Sequence, residues 1–352
     1  MDNYHGGDIY DKDIRWDFSV NINPLGMPES MKQAALRGVC SSAAYPDVNQ
    51  SKLKSRFAAK LQVPEKTLFF GNGVAELLMT LAQASSPEVA VIPVPSFQEY
   101  ERAAAAVKAE IRWVGLAEEK DFVLGEEELQ EIRKIGREEH RPVLVLLGNP
   151  NNPTGQCVPG EIMKKLVEAC EEDGFRLVID ESFLPFVSDE KERTLLQNAA
   201  DSENIVVLRS MTKIYSMPGL RAGYLVSGDP NLHKRMEERT QPWRLSLPAQ
   251  CAMEEAAGEE DWAAKTRAYI ESERAYLSNE LPKGPVQKIV SGKAPFFLMK
   301  TERTDLKEIL LKQGILIRDC RNFRGLPGNY VRIAIRNHEE NARFLEAWRS
   351  IT

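Results

Sequence analysis

The sequence predicts an α/β protein: a mostly parallel sheet wrapped by helices, followed by a smaller α+β domain at the C-terminus. Between residues 68 and 226, short apolar runs alternate with amphipathic stretches, an order typical of parallel sheets covered by helices. Polar or glycine-rich motifs directly follow the apolar runs, where open α/β sheets bind their ligands. After residue 231, long helical stretches replace this alternation.

Composition narrows the class of function. The chain has 352 residues, enough for about two domains. Its net charge of −6 argues against a nucleic-acid-binding protein. The polar, acidic N-terminus is unlike a signal peptide, and the longest apolar runs, such as 143–147, are too short to cross a bilayer. Five dispersed cysteines and four scattered histidines predict reduced thiols and no metal site. We expect a cytoplasmic protein that binds neither nucleic acid nor membrane.

The first thirty residues are rich in turn formers, and two interpretations are open for them. One is a mobile arm; the other is a docked strand, favoured by apolar side chains at alternate positions from Trp16 to Ile22. Helices are predicted at 30–38, with Ser30 as the N-cap, and at 50–61.

The alternating region follows. Strands are predicted at 68–70, 89–93, 110–114, 143–147, 175–180, 205–208 and 222–226. Helices are predicted at 77–84, from 95, at 126–140 and at 161–173. The first of these strands enters Gly71-Asn-Gly-Val-Ala-Glu76, where a glycine turn before a helix offers N–H groups and the helix dipole to an anion. The glycine motifs of P-loops and dinucleotide folds are not present.

The remaining chain predicts a second domain. Helices are predicted at 232–239, 248–257, 261–279 and 339–350, with strands at 296–300 and 330–335. We therefore divide the chain into an N-terminal arm and first helix (1–37) that pack with the small domain, a large domain (38–231) and the small domain (232–352).

Lys213 is the centre of the candidate chemistry. It follows a predicted strand and has Ser210, Thr212 and Arg221 close by in sequence. Such a lysine could form a Schiff base with an aldehyde, while the hydroxyls and the guanidinium hold a phosphate. The alternative is a solvated surface lysine, and the other motifs decide between the two.

Four motifs occur in order: the glycine turn, Asn152-Pro-Thr-Gly155, Asp180 at a strand end, and Ser210-Met-Thr-Lys213 with Arg221. Together they resemble the fold-type I pyridoxal-phosphate (PLP) enzymes of the aspartate aminotransferase superfamily, class I and II, over essentially the whole chain. The resemblance implies the PLP-dependent transferase fold, with a mostly parallel seven-stranded sheet.

Within this superfamily the chain is most similar to the threonine-phosphate decarboxylases of cobalamin biosynthesis, and next to the histidinol-phosphate aminotransferases. The segments that carry the similarity are His5-Gly-Gly, 17–26, 212–224 and 317–323.

The resemblance implies roles for the cofactor site. Lys213 would bind PLP covalently and move protons at the substrate α-carbon. Asp180 would pair with the pyridinium nitrogen, the alternative being a helix cap. Asn152 would donate to the phenolic oxygen, and Phe97 would stack on the ring unless it is an ordinary core aromatic. Residues expected around the cofactor phosphate are Gly73, Val74, Ala75, Ser210, Thr212 and Arg221.

Two further positions bear on the cofactor. Phe183 stands where many aminotransferases have a tyrosine that donates to the ring oxygen, so that support is missing here. Tyr45, in Tyr45-Pro-Asp, matches a tyrosine that reaches the cofactor phosphate from the neighbouring subunit, which implies a homodimer with shared active sites. A plain turn tyrosine is the alternative.

Substrate recognition is expected from arginines. Arg332 matches the arginine that binds the substrate carboxylate, and two parallel charge-assisted bonds suit that role. Arg318 and Arg336 suggest a second anion, such as a phosphate, although Arg336 could instead face solvent. His5 and Asn23 in the arm could close over the substrate, beside Asn152.

The resulting hypothesis is PLP-dependent decarboxylation of L-threonine O-3-phosphate, a phosphorylated amino acid. The alternative is transamination of histidinol phosphate or a related amino acid with 2-oxoglutarate. A third possibility is a PLP-fold regulator or binding module, against which the intact Lys213 argues. The residues do not show which bond at the α-carbon is held perpendicular to the cofactor ring, and so do not decide between the first two.

Overall fold

The computed structural model describes residues 5–10 and 12–351. Its strands, numbered along the chain, are β1 (Trp16–Asp17), β2 (Leu68–Gly71), β3 (Val89–Val94), β4 (Glu110–Gly115), β5 (Val143–Gly148), β6 (Arg176–Asp180), β7 (Ile205–Ser210), β8 (Gly223–Val226), β9 (Val286–Val290), β10 (Phe296–Thr301), β11 (Ile315–Leu316), β12 (Arg318–Asp319) and β13 (Tyr330–Ala334). Its helices are α1 (Glu29–Cys40), α2 (Ser51–Leu61), α3 (Val74–Ser85), α4 (Gln98–Ala106), α5 (Glu126–Glu138), α6 (Gly160–Glu172), α7 (Glu190–Arg193), α8 (Leu196–Asp201), α9 (Met211–Ile214), α10 (Pro230–Glu237), α11 (Leu247–Ala256), α12 (Trp262–Glu280), α13 (Leu306–Leu311) and α14 (His338–Arg349).

A seven-stranded sheet in the order β2-β8-β7-β6-β5-β3-β4 organises the larger part of the molecule. Strand β8 is antiparallel to both of its neighbours, and the remaining pairs are parallel. Every residue of β3, β5 and β7 is buried, as expected for strands covered by helices on both faces. The predicted mostly parallel α/β sheet is confirmed.

Alternate side chains of the central strands fill two separate cores. Val145 and Ile179 point into one core, while Leu144, Val178 and Val206 point into the other. Since both faces of the sheet are buried, all polar function is left to the loops at the strand ends.

A smaller antiparallel sheet in the order β12-β13-β10-β9 lies in the C-terminal part. The closing helix α14 packs on this part through Trp348, which is fully buried and donates from Nε1 to the backbone oxygen of Leu281 at 3.0 Å. The predicted smaller domain with α and β elements is present. The domain boundaries at 37/38 and 231/232 remain our proposal.

The N-terminal segment is attached to the C-terminal part. Strand β1 pairs in parallel with β11, and the backbone oxygen of Phe18 accepts from Ala334 N at 2.8 Å. The predicted apolar alternation ends at Phe18, because Ser19, Asn21 and Asn23 are the next buried side chains. Ser19 and Asn21 line the cavity of the candidate site, and Asn23 is hydrogen-bonded to Ile214 and Thr266, so a hydrophobic period does not describe these positions.

Ser30 is not the N-cap of the first helix. Helix α1 begins at Glu29 with Pro28 at the N-cap position, and the Ser30 hydroxyl instead hydrogen-bonds to the Glu259 carboxylate.

Within residues 5–10 and 12–351, no helix is long and apolar enough to span a membrane.

Candidate active site

A cavity of about 400 Å³ opens at the carboxyl ends of the parallel strands. The strand ends are level there, since Gly148, Asp180 and Leu208 are register partners across β5, β6 and β7. Most of the predicted site residues line it: His5, Val74, Ala75, Phe97, Asn152, Asp180, Phe183, Ser210, Thr212, Lys213, Arg221, Arg318 and Arg332. The fold thus brings together motifs that are up to about 330 residues apart in sequence, as the topology of open α/β sheets predicts.

Lys213 lies on the short helix α9, directly after β7. Ser210 caps this helix, its hydroxyl accepting from Thr212 N at 3.2 Å. Burial, together with the positive charges of Arg332 and Arg221, lowers the pKa of Lys213 to about 8, although Asp180 opposes the shift. A larger fraction of this amine than of an ordinary lysine is therefore neutral and nucleophilic near neutral pH.

This shift predicts how the apoprotein captures PLP. The second-order rate constant should rise with pH through about 8 and level off above it, because only the neutral amine of Lys213 attacks the aldehyde. Rapid mixing of apoprotein with PLP at a series of pH values, followed by absorbance, measures the profile. A rate that keeps rising towards pH 10.5, the ordinary value for lysine, would contradict the assigned environment.

Asp180 ends β6 with its carboxylate held by neutral donors. Tyr100 donates from its hydroxyl to Oδ2 at 3.1 Å, and Ser182 N donates to Oδ1 at 2.9 Å. Asp180 is 7% exposed, and burial raises its pKa although the Ser182 hydrogen bonds oppose the shift. A carboxylate fixed in this way is suited to a cationic N–H group, which would favour its ionised form.

The start of α3 offers an anion site. Gly73 occupies the N-cap position with φ +86°, and no side chain caps the helix. A Cβ at this position would lie 2.7 Å from Nη2 of Arg221, so a side chain here would force the guanidinium to shift away from the helix N-terminus. The hydroxyls of Ser210 and Thr212 are 2.7 Å apart beside it. Helix N–H groups, a guanidinium and two hydroxyls together make a phosphate site.

These observations fit pyridoxal 5′-phosphate. The phosphate would be held at the N-terminus of α3 and by Arg221, the aldehyde carbon by Lys213, and the ring nitrogen by Asp180. Phe97, at the N-cap of α4, lines the cavity and is available to stack on the ring.

Arg318 and Arg332 are register partners on the antiparallel strands β12 and β13. Both are buried, at 8% and 5% exposure, and like charges directly opposite each other destabilise a sheet. Arg332 donates to neutral oxygens, those of Asn152 and of the Ser19 backbone, the latter at 3.0 Å. Burial, together with Arg318, lowers the pKa of Arg332 to about 10. Such a pair is stabilised by bound anions.

Asn23 and Arg336 are not among the described residues that line the cavity, and their substrate contacts stay a prediction. Asn23 Nδ2 donates to the Ile214 backbone oxygen at 2.8 Å and to Thr266 Oγ1 at 2.6 Å, which supports α9 from behind. Arg336 pairs with Glu340 at 3.2 Å, because it follows the end of β13 and points to the start of α14.

Tyr45 also lies away from the cavity of its own chain. Its side chain is 78% exposed and stacks on Trp243 with the ring centroids 4.5 Å apart. This placement is what a residue serving a neighbouring subunit requires, and its role remains a proposal.

Several lining residues were missed by the sequence reasoning: Gln98, Glu99, Tyr100, Arg102, Ser182 and Phe323. The first four begin α4, which follows the carboxyl end of β3. Their position after a strand end is the signal that predicts them. In the described part of the chain, His, Cys, Asp and Glu side chains form no group of three or more that could hold a metal ion.

Comparison with known proteins is consistent with this geometry. The family described as aminotransferase class I and II matches residues 14–347. A threonine-phosphate decarboxylase of Salmonella typhimurium is 35% identical, with 99% of this chain and 96% of the relative aligned. The adenosylcobalamin biosynthesis bifunctional protein CobDQ of Leptospira interrogans is 33% identical over 95% of this chain and 38% of that protein. The crystal structure of histidinol-phosphate aminotransferase from Clostridium acetobutylicum superposes with a TM-score of 0.86 at 29% identity, covering 95% of this chain and 98% of that one.

Proposed function

The chain belongs to the class I and II aminotransferase family, and we propose that it decarboxylates L-threonine O-3-phosphate to (R)-1-amino-2-propanol O-2-phosphate in cobalamin biosynthesis. It is an enzyme of the PLP-dependent class, with PLP as its cofactor. The observation that carries the proposal is the buried pair of Arg318 and Arg332, opposite each other in register. The proposed substrate supplies two anions to this pair, a carboxylate and a phosphate.

Each residue of the site has a separate role in the proposed reaction. PLP, when bound, supplies the electron sink for the bond that breaks at the α-carbon. Arg332 binds the substrate carboxylate, and Arg318 the phosphate. Asp180 holds the proton on the ring nitrogen by its negative charge. Lys213 binds the cofactor and gives a proton to the α-carbon, which replaces the carboxyl group lost as CO2.

The reaction is balanced without a second substrate. The electron pair of the broken carbon–carbon bond stays on the α-carbon until that carbon receives a proton, and nothing is oxidised. Transamination differs because the α-hydrogen is lost and a 2-oxo acid must accept the amino group. The need for a 2-oxo acid therefore separates the two candidate functions.

Transamination of histidinol phosphate is the second candidate, and the superposition on such an enzyme favours it. Two observations support decarboxylation instead. Phe183 packs edge-on against Phe296, with centroids 5.3 Å apart, and has no hydroxyl to offer the ring oxygen. Among the described residues, Asp180 and Glu99 are the carboxylates that line the cavity. Glu99 already forms a hydrogen bond with His5, at 2.9 Å. A substrate imidazole would have to displace His5.

The proposed assembly is a homodimer. Large apolar side chains are exposed in and after α1 and before α11, namely Leu36, Val39, Tyr45, Val48 and Trp243, and a second copy of the chain would cover them. In the dimer Tyr45 would reach the cofactor phosphate of the partner. Sedimentation of a monomer at micromolar concentration would contradict this arrangement.

The direct test uses PLP-loaded protein and L-threonine O-3-phosphate with no 2-oxo acid. We expect release of CO2 in equimolar amount to the phosphorylated amino alcohol. The matched reaction contains histidinol phosphate and 2-oxoglutarate. Amino transfer in that reaction, without CO2 release in the first, would favour the aminotransferase and overturn the proposal.

A further inference from the structure

Glu99 is a buried acid that the proposed reaction does not use. It lies in the first turn of α4, is 6% exposed, and lines the cavity. Asp180 is assigned to the cofactor nitrogen, but no group of the cofactor or of an anionic substrate calls for a second carboxylate. An uncompensated negative charge here would repel the phosphate of the proposed substrate.

The chain compensates this charge itself. His5 Nε2 lies 2.9 Å from Glu99 Oε1, and Arg102 Nη1 lies 3.5 Å from the same oxygen. The His5 hydrogen bond is the largest cause of a lowered pKa for Glu99, so the carboxyl group is ionised. The His5 ring is tilted by 50° against Phe97, with centroids 5.9 Å apart, which puts the imidazole beside the proposed cofactor stacking residue.

We propose that Glu99 is a positioning residue, which holds His5 in the cavity and thereby makes the cavity prefer an anionic over a cationic substrate side chain. The inference rests on the proposed function, since it concerns the same site. In its imidazolium form, His5 donates from Nε2 to Glu99 and can donate from Nδ1 to a substrate phosphate. Without His5, the same buried carboxylate would face the substrate and attract a cation.

The segment that carries His5 is also held by hydrogen bonds that do not involve Glu99. Gly7 N donates to Ser19 Oγ at 2.8 Å, and Ser19 Oγ donates to Asp17 Oδ1 at 2.6 Å. These bonds fix the chain next to His5 without Glu99. A purely structural role for Glu99 would therefore change protein stability but leave the relative affinity for anionic and cationic ligands unchanged.

The test compares Glu99→Gln, His5→Ala and the double variant, each as PLP-loaded protein. Glu101→Gln is the control, because Glu101 lies on the same helix, has a side chain that is 40% exposed, and pairs with Arg324 at 3.2 Å outside the cavity lining. Kd is measured for L-threonine O-3-phosphate and for L-histidinol phosphate, whose imidazole is a cation when protonated, from the change in cofactor absorbance. The steady-state KM and kcat are measured with the first ligand.

We expect His5→Ala to weaken L-threonine O-3-phosphate binding by about tenfold and to strengthen histidinol phosphate binding by about tenfold, the usual effect of one charged hydrogen bond. The double variant should lose that gain, since Glu99 is then neutral. Glu99→Gln should raise KM more than it lowers kcat. The inference is overturned if His5→Ala changes both affinities equally, or if Glu99→Gln matches Glu101→Gln. Because the readout is a ratio of Kd values, it stands whichever reaction the wild-type protein catalyses.

Discussion

Replacing Lys213 with alanine should lower the rate of CO2 release from L-threonine O-3-phosphate by at least about a thousandfold, because nucleophilic capture of the cofactor and proton transfer to the α-carbon are lost together. The contacts at α3 and Arg221 remain, so PLP should still bind. Its absorbance should be that of free PLP rather than that of PLP bound to a lysine. Rates and spectra of the purified variant measure both effects.

Lys52→Ala is the control for loss of a lysine, since Lys52 is exposed and pairs with Glu254 at 2.6 Å on the surface. It should keep the activity and spectrum of the wild-type protein. A Lys213→Ala protein with the wild-type spectrum, or with more than a few per cent of the activity, would show that another amine binds the cofactor.

Replacing Asp180 with asparagine should reduce the rate by about a hundredfold to ten-thousandfold, the range of a well-placed acid or base. Asparagine has nearly the same shape, but it has no charge to keep the proton on the ring nitrogen, so the ring becomes a poorer electron sink. The variant is tested by single-turnover CO2 release at saturating PLP, which separates chemistry from cofactor loss.

Tyr100→Phe is the matched control for Asp180. It removes one neutral donor, 3.1 Å from Oδ2, and leaves the charge, so a loss of no more than about tenfold is expected. If Tyr100→Phe is as damaging as Asp180→Asn, the hydrogen-bond network rather than the charge of Asp180 is what the reaction requires.

The cofactor site was predictable because each of its parts follows a strand. Apolar runs in the sequence locate the strands. Because parallel strands have their carboxyl ends at the same edge of the sheet, the residues that follow these ends lie close together. Asp180 and Lys213 were found in this way. Tyr100 and Glu99 follow β3 in the same manner, so the same rule also predicts them.

The substrate side was less predictable for a physical reason. Arg318 and Arg332 are opposite each other only because β12 and β13 pair in one particular register, and strand register depends on the whole small sheet. Arg336 follows the end of β13, where alternation no longer gives the direction of a side chain. Asn23 is a buried polar residue whose side chain is hydrogen-bonded to Ile214 and Thr266. Hydrophobic periodicity does not detect buried polar residues.

The central claim is that the carboxyl group leaves the α-carbon and a proton takes its place. The most direct measurement runs the reaction in D2O, without a 2-oxo acid, and examines the product by mass spectrometry and NMR. The predicted product carries one deuterium and the original α-hydrogen on the carbon bearing the amino group, with equimolar CO2. Loss of the α-hydrogen with retention of the carboxyl group, accompanied by amino transfer once 2-oxoglutarate is added, would contradict the claim.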